Sequence, residues 1–267
     1  MNPTIIEATT ISDAWFKLVY SLVRGTGHNV YTIDKGSYVG QKRLEYDFVF
    51  ATIRHPGIRP LIPEIPPGLN IPPPVDSVAY VEEYFAKYLM DPELEPNETY
   101  KYATWLVPGV ERVIEQLKGA PGNNQACISI GGMCKSTEPQ YDGYGNPVDW
   151  LELMDTDDVI DPATGERDPA CLRTVDFRLD QENELHMFVY FRSNDLWSGF
   201  PANLAGLQLL KEYVAQEIGA EDGRIVYASK GCHIYSHAIQ VAAARVGMHD
   251  VDSMDSLAEA IKGKTHE

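Results

Sequence analysis

Between Val175 and Phe191 the sequence alternates apolar and polar residues on both sides of a turn. Val175, Phe177 and Leu179 lead into Asp180–Asn183, and Leu185, Met187, Val189 and Phe191 resume the alternation. A period of two interrupted by a short polar break is the pattern of a β-hairpin with one buried face. Four polar residues follow at once, Arg192-Ser193-Asn194-Asp195, and then a mostly apolar stretch, Pro201–Ile218. That stretch has proline at its start and Gly219 after its end, the usual asymmetry of a helix. A hairpin feeding a buried helix implies an α/β (α+β) fold, and it leaves four polar side chains at a seam between two core-building elements.

The rest of the chain supplies more of both element types. Ser12 followed by Ala14, Trp15, Leu18, Val19, Leu22 and Val23 reads as a capped amphipathic helix. His28–Ile33 reads as a strand, and Leu44–Ile53 as either a strand or a buried helix. Pro56–Pro74 is too rich in proline for either. Val78, Val81, Tyr84, Phe85, Tyr88 and Leu89 form a helical stripe, and Val110–Leu117 a further helix ending at Gly119. Ala126–Ile130 is a short strand; Arg224–Ser229 is another, which Gly231–His237 would continue. Ser236–Val246 and Ser253–Ile261 look helical. With no repeat and no clear linker, residues 1–267 read as one domain, carrying an acidic, turn-rich surface insertion at about 131–168.

Charge narrows the partners. A net charge of −17 repels polyanions and argues against a nucleic-acid polymer. A small phosphorylated ligand would need local cations. No apolar run is long enough to span a bilayer, and the N-terminus carries no secretory pattern. Cys127, Cys134, Cys171 and Cys232 are scattered and read as reduced thiols, so a cytoplasmic location is expected.

Several residues could carry chemistry. Cys171 opens the hairpin after Asp168-Pro169-Ala170; it is either a small core residue or a nucleophile. Strands of nearly equal length bring Arg192 back beside it, and a guanidinium next to a thiol favours the thiolate. Arg192 with Ser193 could hold a phosphate, or form a rim salt bridge. Asn203 offers a donor and an acceptor together, suited to a cyclic imide such as uracil, or to an N-terminal cap or a core hydrogen bond. His233, Tyr235 and His237 alternate along a strand and would share one face; metal binding is conceivable, although no further ligand has the usual spacing, and recognition of sugar hydroxyls by His233 and Tyr235 is equally good chemistry. Cys232 would then face the core. No phosphate loop, dinucleotide fingerprint or serine-hydrolase elbow is present.

Three stretches in one order, PAC (169–171), FRSNDLWSGFPANLAG (191–206) and CHIYSH (232–237), resemble the thymidylate synthase family. They are similar to its proline-cysteine nucleophile, its RSxD…G.P.N block and its HxY motif, and the resemblance is closest to the archaeal and phage-like branch. It implies a large mixed sheet flanked by helices and a homodimer formed by stacking sheets. It implies that Cys171 attacks C6 of a pyrimidine nucleotide, that Arg192 and Ser193 hold the 5′-phosphate, and that Asp195 and Gly199 belong to the folate site. Asn203 would read the uracil imide, and relatives acting on cytosine carry aspartate there. His233 and Tyr235 would bind the deoxyribose hydroxyl. Glu45 would organise proton transfer, and Tyr102 would stand near C5. The implied reaction is folate-dependent one-carbon transfer to C5 of dUMP, with 5,10-methylenetetrahydrofolate as co-substrate and no metal. Thymidylate synthase is the first expectation, a deoxyuridylate hydroxymethylase the second and a non-catalytic nucleotide-binding relative the third.

Three departures qualify that expectation. Asn123-Asn124-Gln125 stands where the family places paired arginines lent across the dimer, so phosphate binding would use other groups, such as Arg43 or Lys42, or be weaker. The chain ends KGKTHE rather than in a short apolar tail, which keeps hydroxymethylation open. The 131–168 insertion has no counterpart.

Overall fold

A computed structural model describes residues 3–25, 28–34, 38–95, 98, 100–131 and 169–264. The expected acidic insertion lies, but for Gly131, outside the described residues, as does Cys134.

The hairpin forms as the alternation requires. Strand β6 (Leu172–Leu179) pairs antiparallel with β7 (Glu184–Phe191). Asp180 closes the turn by accepting the N–H groups of Glu182 and Glu184 through Oδ1, at 3.0 and 2.8 Å. Asn183 takes the left-handed conformation, φ 64°, which asparagine tolerates better than most residues. This hairpin sits inside a six-stranded mixed sheet of order β1-β4-β9-β7-β6-β5. Its other strands are β1 (Pro3–Ala8), β4 (Phe48–Ile53), β5 (Cys127–Ser129) and β9 (Glu221–Ser229). Pairing is parallel for β1 with β4 and β7 with β9, and antiparallel elsewhere. The expected mixed sheet is therefore present.

One face of this sheet is covered. Helix α1 (Ile11–Arg24) buries Ala14, Trp15, Leu18, Val19, Leu22 and Val23 on the expected stripe. Its cap is Thr10, two residues earlier than Ser12: Thr10 Oγ1 accepts the N–H of Asp13 at 3.1 Å. Helix α2 (Val78–Tyr84) runs directly into a π-helical turn, Phe85–Leu89. Helix α3 (Ala103–Gly119) begins before Pro108 rather than after it. A proline this early forfeits one intrahelical bond, and Leu106, Val110, Val113 and Leu117 offset it by burial. Helix α4 (Gly199–Ile218) is buried nearly all round and ends in Gly219 at φ 71°, as a central helix should.

The stretch left ambiguous between strand and helix is two strands in two sheets. β3 (Lys42–Glu45) belongs to a four-stranded sheet with β2 (Asn29–Thr32), β8 (Asn194–Asp195) and β10 (Cys232–Tyr235), while β4 lies in the large sheet. The expectation that 231–237 continues the 224–229 strand is wrong for the same reason: β9 and β10 lie in different sheets. The chain breaks at Gly231, where an added Cβ would stand 2.6 Å from the Arg192 carbonyl oxygen. That close approach lets the Asn194 N–H reach the Gly231 carbonyl at 3.0 Å. His237 leaves the strand for a 3-10 turn, Ser236–Ala238, ahead of helix α5 (Ile239–Arg245); α6 (Met254–Lys264) closes the described chain. No helix among the described residues is long and apolar enough to cross a membrane.

The second face of the large sheet has no covering layer among the described residues. Ile5 and Phe50 are paired across β1 and β4 and are 74% and 38% exposed. Phe48, Phe188, Tyr190 and Val226 continue this surface, each half-buried.

Candidate active site

The open end of the hairpin joins Cys171 and Arg192 through backbone and side chain. The Arg192 N–H donates to the Cys171 carbonyl at 2.8 Å. Arg192 Nε donates to the carbonyls of Pro169 at 2.8 Å and Ala170 at 3.3 Å, and Nη2 also reaches Pro169. The guanidinium thus clamps the segment that ends in the half-buried thiol. This is the juxtaposition anticipated from strand lengths.

Beyond Arg192 the chain enters the small sheet. β8 pairs parallel with β10, setting Asp195 opposite His233, and β3 pairs antiparallel on the other side, setting His233 opposite Glu45 and Tyr235 opposite Arg43. One row therefore reads Asp195–His233–Glu45. His233 Nδ1 lies 2.8 Å from the Gly231 carbonyl and must carry the proton there. Its Nε2 is then a buried acceptor without a hydrogen-bond partner. Burial holds this imidazole below its ordinary pKa, against the bond to Gly231 and the charge of Asp195, so it is neutral. Glu45 is 2.7 Å from Arg43 Nε and 3.9 Å from His233 Nδ1; burial raises its pKa, and Arg43 pulls it back down. Tyr235 is pushed up to about 12, first by burial and then by the nearby charges of Asp195 and Cys171. Its ring stands edge-on to His233, with centroids 4.4 Å apart, and stacks on His237 at 5.5 Å, so the three rings form a row although His237 has left the strand. Cys232 is fully buried in the core, as expected.

Asp195 organises the start of α4. Its Oδ1 accepts the Trp197 N–H at 3.1 Å; its Oδ2 accepts the Ser198 N–H at 3.3 Å, the Ser198 hydroxyl at 2.6 Å and the Gly199 N–H at 3.3 Å. A carboxylate at a helix N-terminus is favourable electrostatically, and it fixes Gly199 and, one turn on, Asn203. Those two residues line a cavity of about 300 Å³ with Pro74, Val75, Asp76, Tyr80, Tyr84, Ser198 and Ala202. Ser193 is half-buried beside Arg192. A larger cavity, about 870 Å³, lies at the turn end of the hairpin around Asn123, Arg178, Asp180 and His186, on the uncovered sheet face. The metal-ligand grouping there, Asp180, Glu184 and His186, is already internally bonded. His186 Nδ1 accepts the Arg224 N–H, and Nε2 donates to Asp180, each at 2.9 Å.

Tyr102 lies against the segment that follows Cys171: its hydroxyl accepts the Leu172 N–H at 3.2 Å. Sequence reading missed its companions. Tyr100 accepts the Cys171 N–H at 3.3 Å. Tyr88 sets its edge against Tyr102, with centroids 5.2 Å apart, and stacks on Tyr84 at 5.3 Å. The available signal was tyrosine, rather than leucine, at positions 84 and 88 of the helical stripe.

Several known proteins are similar to this chain. Residues 163–254 match the family model described as thymidylate synthase. A protein of Methanosarcina mazei named "Putative thymidylate synthase" is 28% identical over 241 residues, covering 87% of this chain and 90% of its own length. One of Methanococcoides burtonii with the same name has the same identity and coverage. Thymidylate synthase of Corynebacterium aurimucosum is 39% identical over 59 residues, 22% of each chain. The solved structure of thermostable thymidylate synthase A from Bacillus subtilis superposes with a TM-score of 0.57 at 14% identity, covering 89% of this chain and 84% of that one. The fold is that of thymidylate synthase, and the resemblance carried by the three motifs is borne out.

Proposed function

Taking this chain as a thymidylate synthase-family protein, we propose that it transfers a one-carbon unit from 5,10-methylenetetrahydrofolate to C5 of dUMP, as a thymidylate synthase. The observation that carries this reading is the clamp of Arg192 on the segment ending in Cys171, with Asn203 in a cavity at the start of α4. The folate supplies carbon at the methylene level and, for a methyl product, a hydride. Everything else falls to this chain's own groups.

Cys171 adds as thiolate to C6 of the pyrimidine, C5 then takes the methylene carbon of the folate, and the sulfur leaves C6 again as the C5–C6 double bond is restored in the product. The C5–C6 π electrons move towards C4 and its oxygen, which makes C5 nucleophilic. The Asn203 amide hydrogen-bonds the imide edge and stabilises the developing enolate. Arg192 neutralises charge beside the thiol and, with Ser193, holds the 5′-phosphate. Arg43 is the further cation on this side, above the Tyr31 ring at 5.6 Å. The orphan Nε2 of His233 accepts from the deoxyribose hydroxyl, beside the Tyr235 phenol. Glu45, with its raised pKa, holds or passes the proton lost from C5. The uncovered sheet face with Ile5, Phe48 and Phe50 is the surface on which a second copy docks. Size-exclusion chromatography with light scattering checks this; a monomer at micromolar concentration counts against it.

Incubation with 5-fluoro-dUMP and the folate should give a covalent adduct that peptide mass spectrometry assigns to Cys171. Absence of any adduct on folded protein would make the chain a non-catalytic relative. With dUMP itself, a product carrying a methyl group in place of the C5 hydrogen and release of dihydrofolate are expected. A hydroxymethyl product with tetrahydrofolate would move the assignment to a hydroxymethylase.

A further inference from the structure

The cavity at the start of α4 has a second wall, which no step of the reaction uses. Gly199 and Asn203 line it from α4; Tyr80 and Tyr84, four residues apart on one face of α2, line it from the other helix. Tyr84 is seated by a missing side chain. A Cβ added at Gly206 would stand 2.6 and 2.8 Å from Cδ1 and Cε1 of its ring, so the ring lies directly against the backbone of α4. Gly206 follows Asn203 by three residues, and positions three apart share a helix face. Tyr88 stacks on the same ring, with centroids 5.3 Å apart and an interplanar angle of 20°. Packing therefore fixes the ring, but it does not explain the hydroxyl. Among the described residues neither the Tyr84 hydroxyl nor the Asn203 amide has a hydrogen-bond partner. Burial holds this phenol well above its ordinary pKa, so it is a neutral O–H donor. The imide edge of uracil presents an acceptor, a donor and an acceptor in a row. A carboxamide meets two of them with its oxygen and its NH2 group, and one carbonyl still needs a donor.

We propose that Tyr84 is a further substrate-binding residue: its hydroxyl donates to the base carbonyl that the Asn203 amide leaves unmet. The inference rests on this cavity being the pyrimidine site. It gives recognition of the base two anchors on different helices, α2 and α4, which meet at Gly206.

The test reads binding rather than turnover. Isothermal titration calorimetry gives the affinity of the full-length protein for dUMP. Ligand-observed NMR gives its affinity for 2-deoxyribose 5-phosphate, which lacks the base. Tyr84→Phe removes one hydroxyl and keeps the ring. It should weaken dUMP by about fivefold, the worth of one neutral hydrogen bond, and leave 2-deoxyribose 5-phosphate unchanged. Wild-type affinity for dUMP in Tyr84→Phe would overturn the proposal. So would equal losses for both ligands, because a general disturbance of the site would then be the cause. Should Tyr84→Phe not keep the wild-type circular dichroism, Gly206→Ala decides instead: its Cβ displaces the ring, and a loss confined to dUMP is expected, with undiminished affinity overturning the proposal. Failure of the functional reading appears separately, as wild-type protein that binds no dUMP.

Discussion

Asp195 holds four hydrogen bonds at the start of α4, and replacing it with asparagine separates their contribution from that of its shape. Asparagine keeps one oxygen. With that oxygen in place of Oδ1, the Trp197 N–H keeps its acceptor, and an NH2 group faces the Ser198 and Gly199 N–H donors. The Ser198 hydroxyl can rotate and accept instead, so its 2.6 Å contact is not simply lost. Two unmet backbone donors cost about 1 kcal/mol each, reduced because Ser198 is exposed and water can replace part of the loss. Loss of the negative charge at the helix N-terminus adds about 0.5 kcal/mol. The expected destabilisation for Asp195→Asn is about 2 kcal/mol, in the upper range for a helix cap. Ser198→Ala removes only the hydroxyl contact and should cost about 0.5 kcal/mol. Urea unfolding followed by tryptophan fluorescence reads both, provided the slope is unchanged. A loss below about 0.5 kcal/mol in Asp195→Asn would show that the carboxylate does not organise this helix start.

Other outcomes follow from single observations. Asn203→Asp should favour dCMP over dUMP, with the kcat/KM ratio moving by roughly tenfold or more; an unchanged ratio removes Asn203 as the base reader. Gly206→Ala puts a Cβ 2.6 Å from Tyr84 and 3.1 Å from Leu89. Overpacking should outweigh the gain in helix propensity by about 1 kcal/mol in urea unfolding, and equal or higher stability would mean Tyr84 moves freely. Burial depresses the pKa of both His28 and His233. The unfolded chain therefore binds these protons first, and stability should be lost as pH falls below about 6.5. Glu45, with its pKa raised, contributes in the opposite sense at lower pH. His233→Gln should flatten the loss by up to about 1.4 kcal/mol per pH unit; an identical slope would remove His233 as a contributor.

The hairpin, α1 and α4 were legible because their information is local. Alternation at period two, a helical stripe, a proline at one end and a glycine at the other act over a few residues, and burial follows the pattern residue by residue. The nearness of Arg192 to Cys171 was legible for the same reason, since two strands of similar length joined by a tight turn must return to their starting point. Periodicity could not say that Glu45 and Asp195 flank His233. Those pairings join strands nearly two hundred residues apart in one case, and they depend on a change of sheet at Gly231 that only the close approach of the Arg192 carbonyl explains. The strand expected to run on through 237 failed at that glycine. The tyrosines were hidden differently: their spacing is equally that of a core stripe, and only the π turn, with the packing of the 100–102 segment against it, turns two core positions towards the site. By itself the sequence determined the local elements and the identity of the reactive groups. Tertiary structure decided which groups share a row, which atom of His233 is left unpaired and which phenols reach Cys171, because those are set by long-range packing that no local pattern carries.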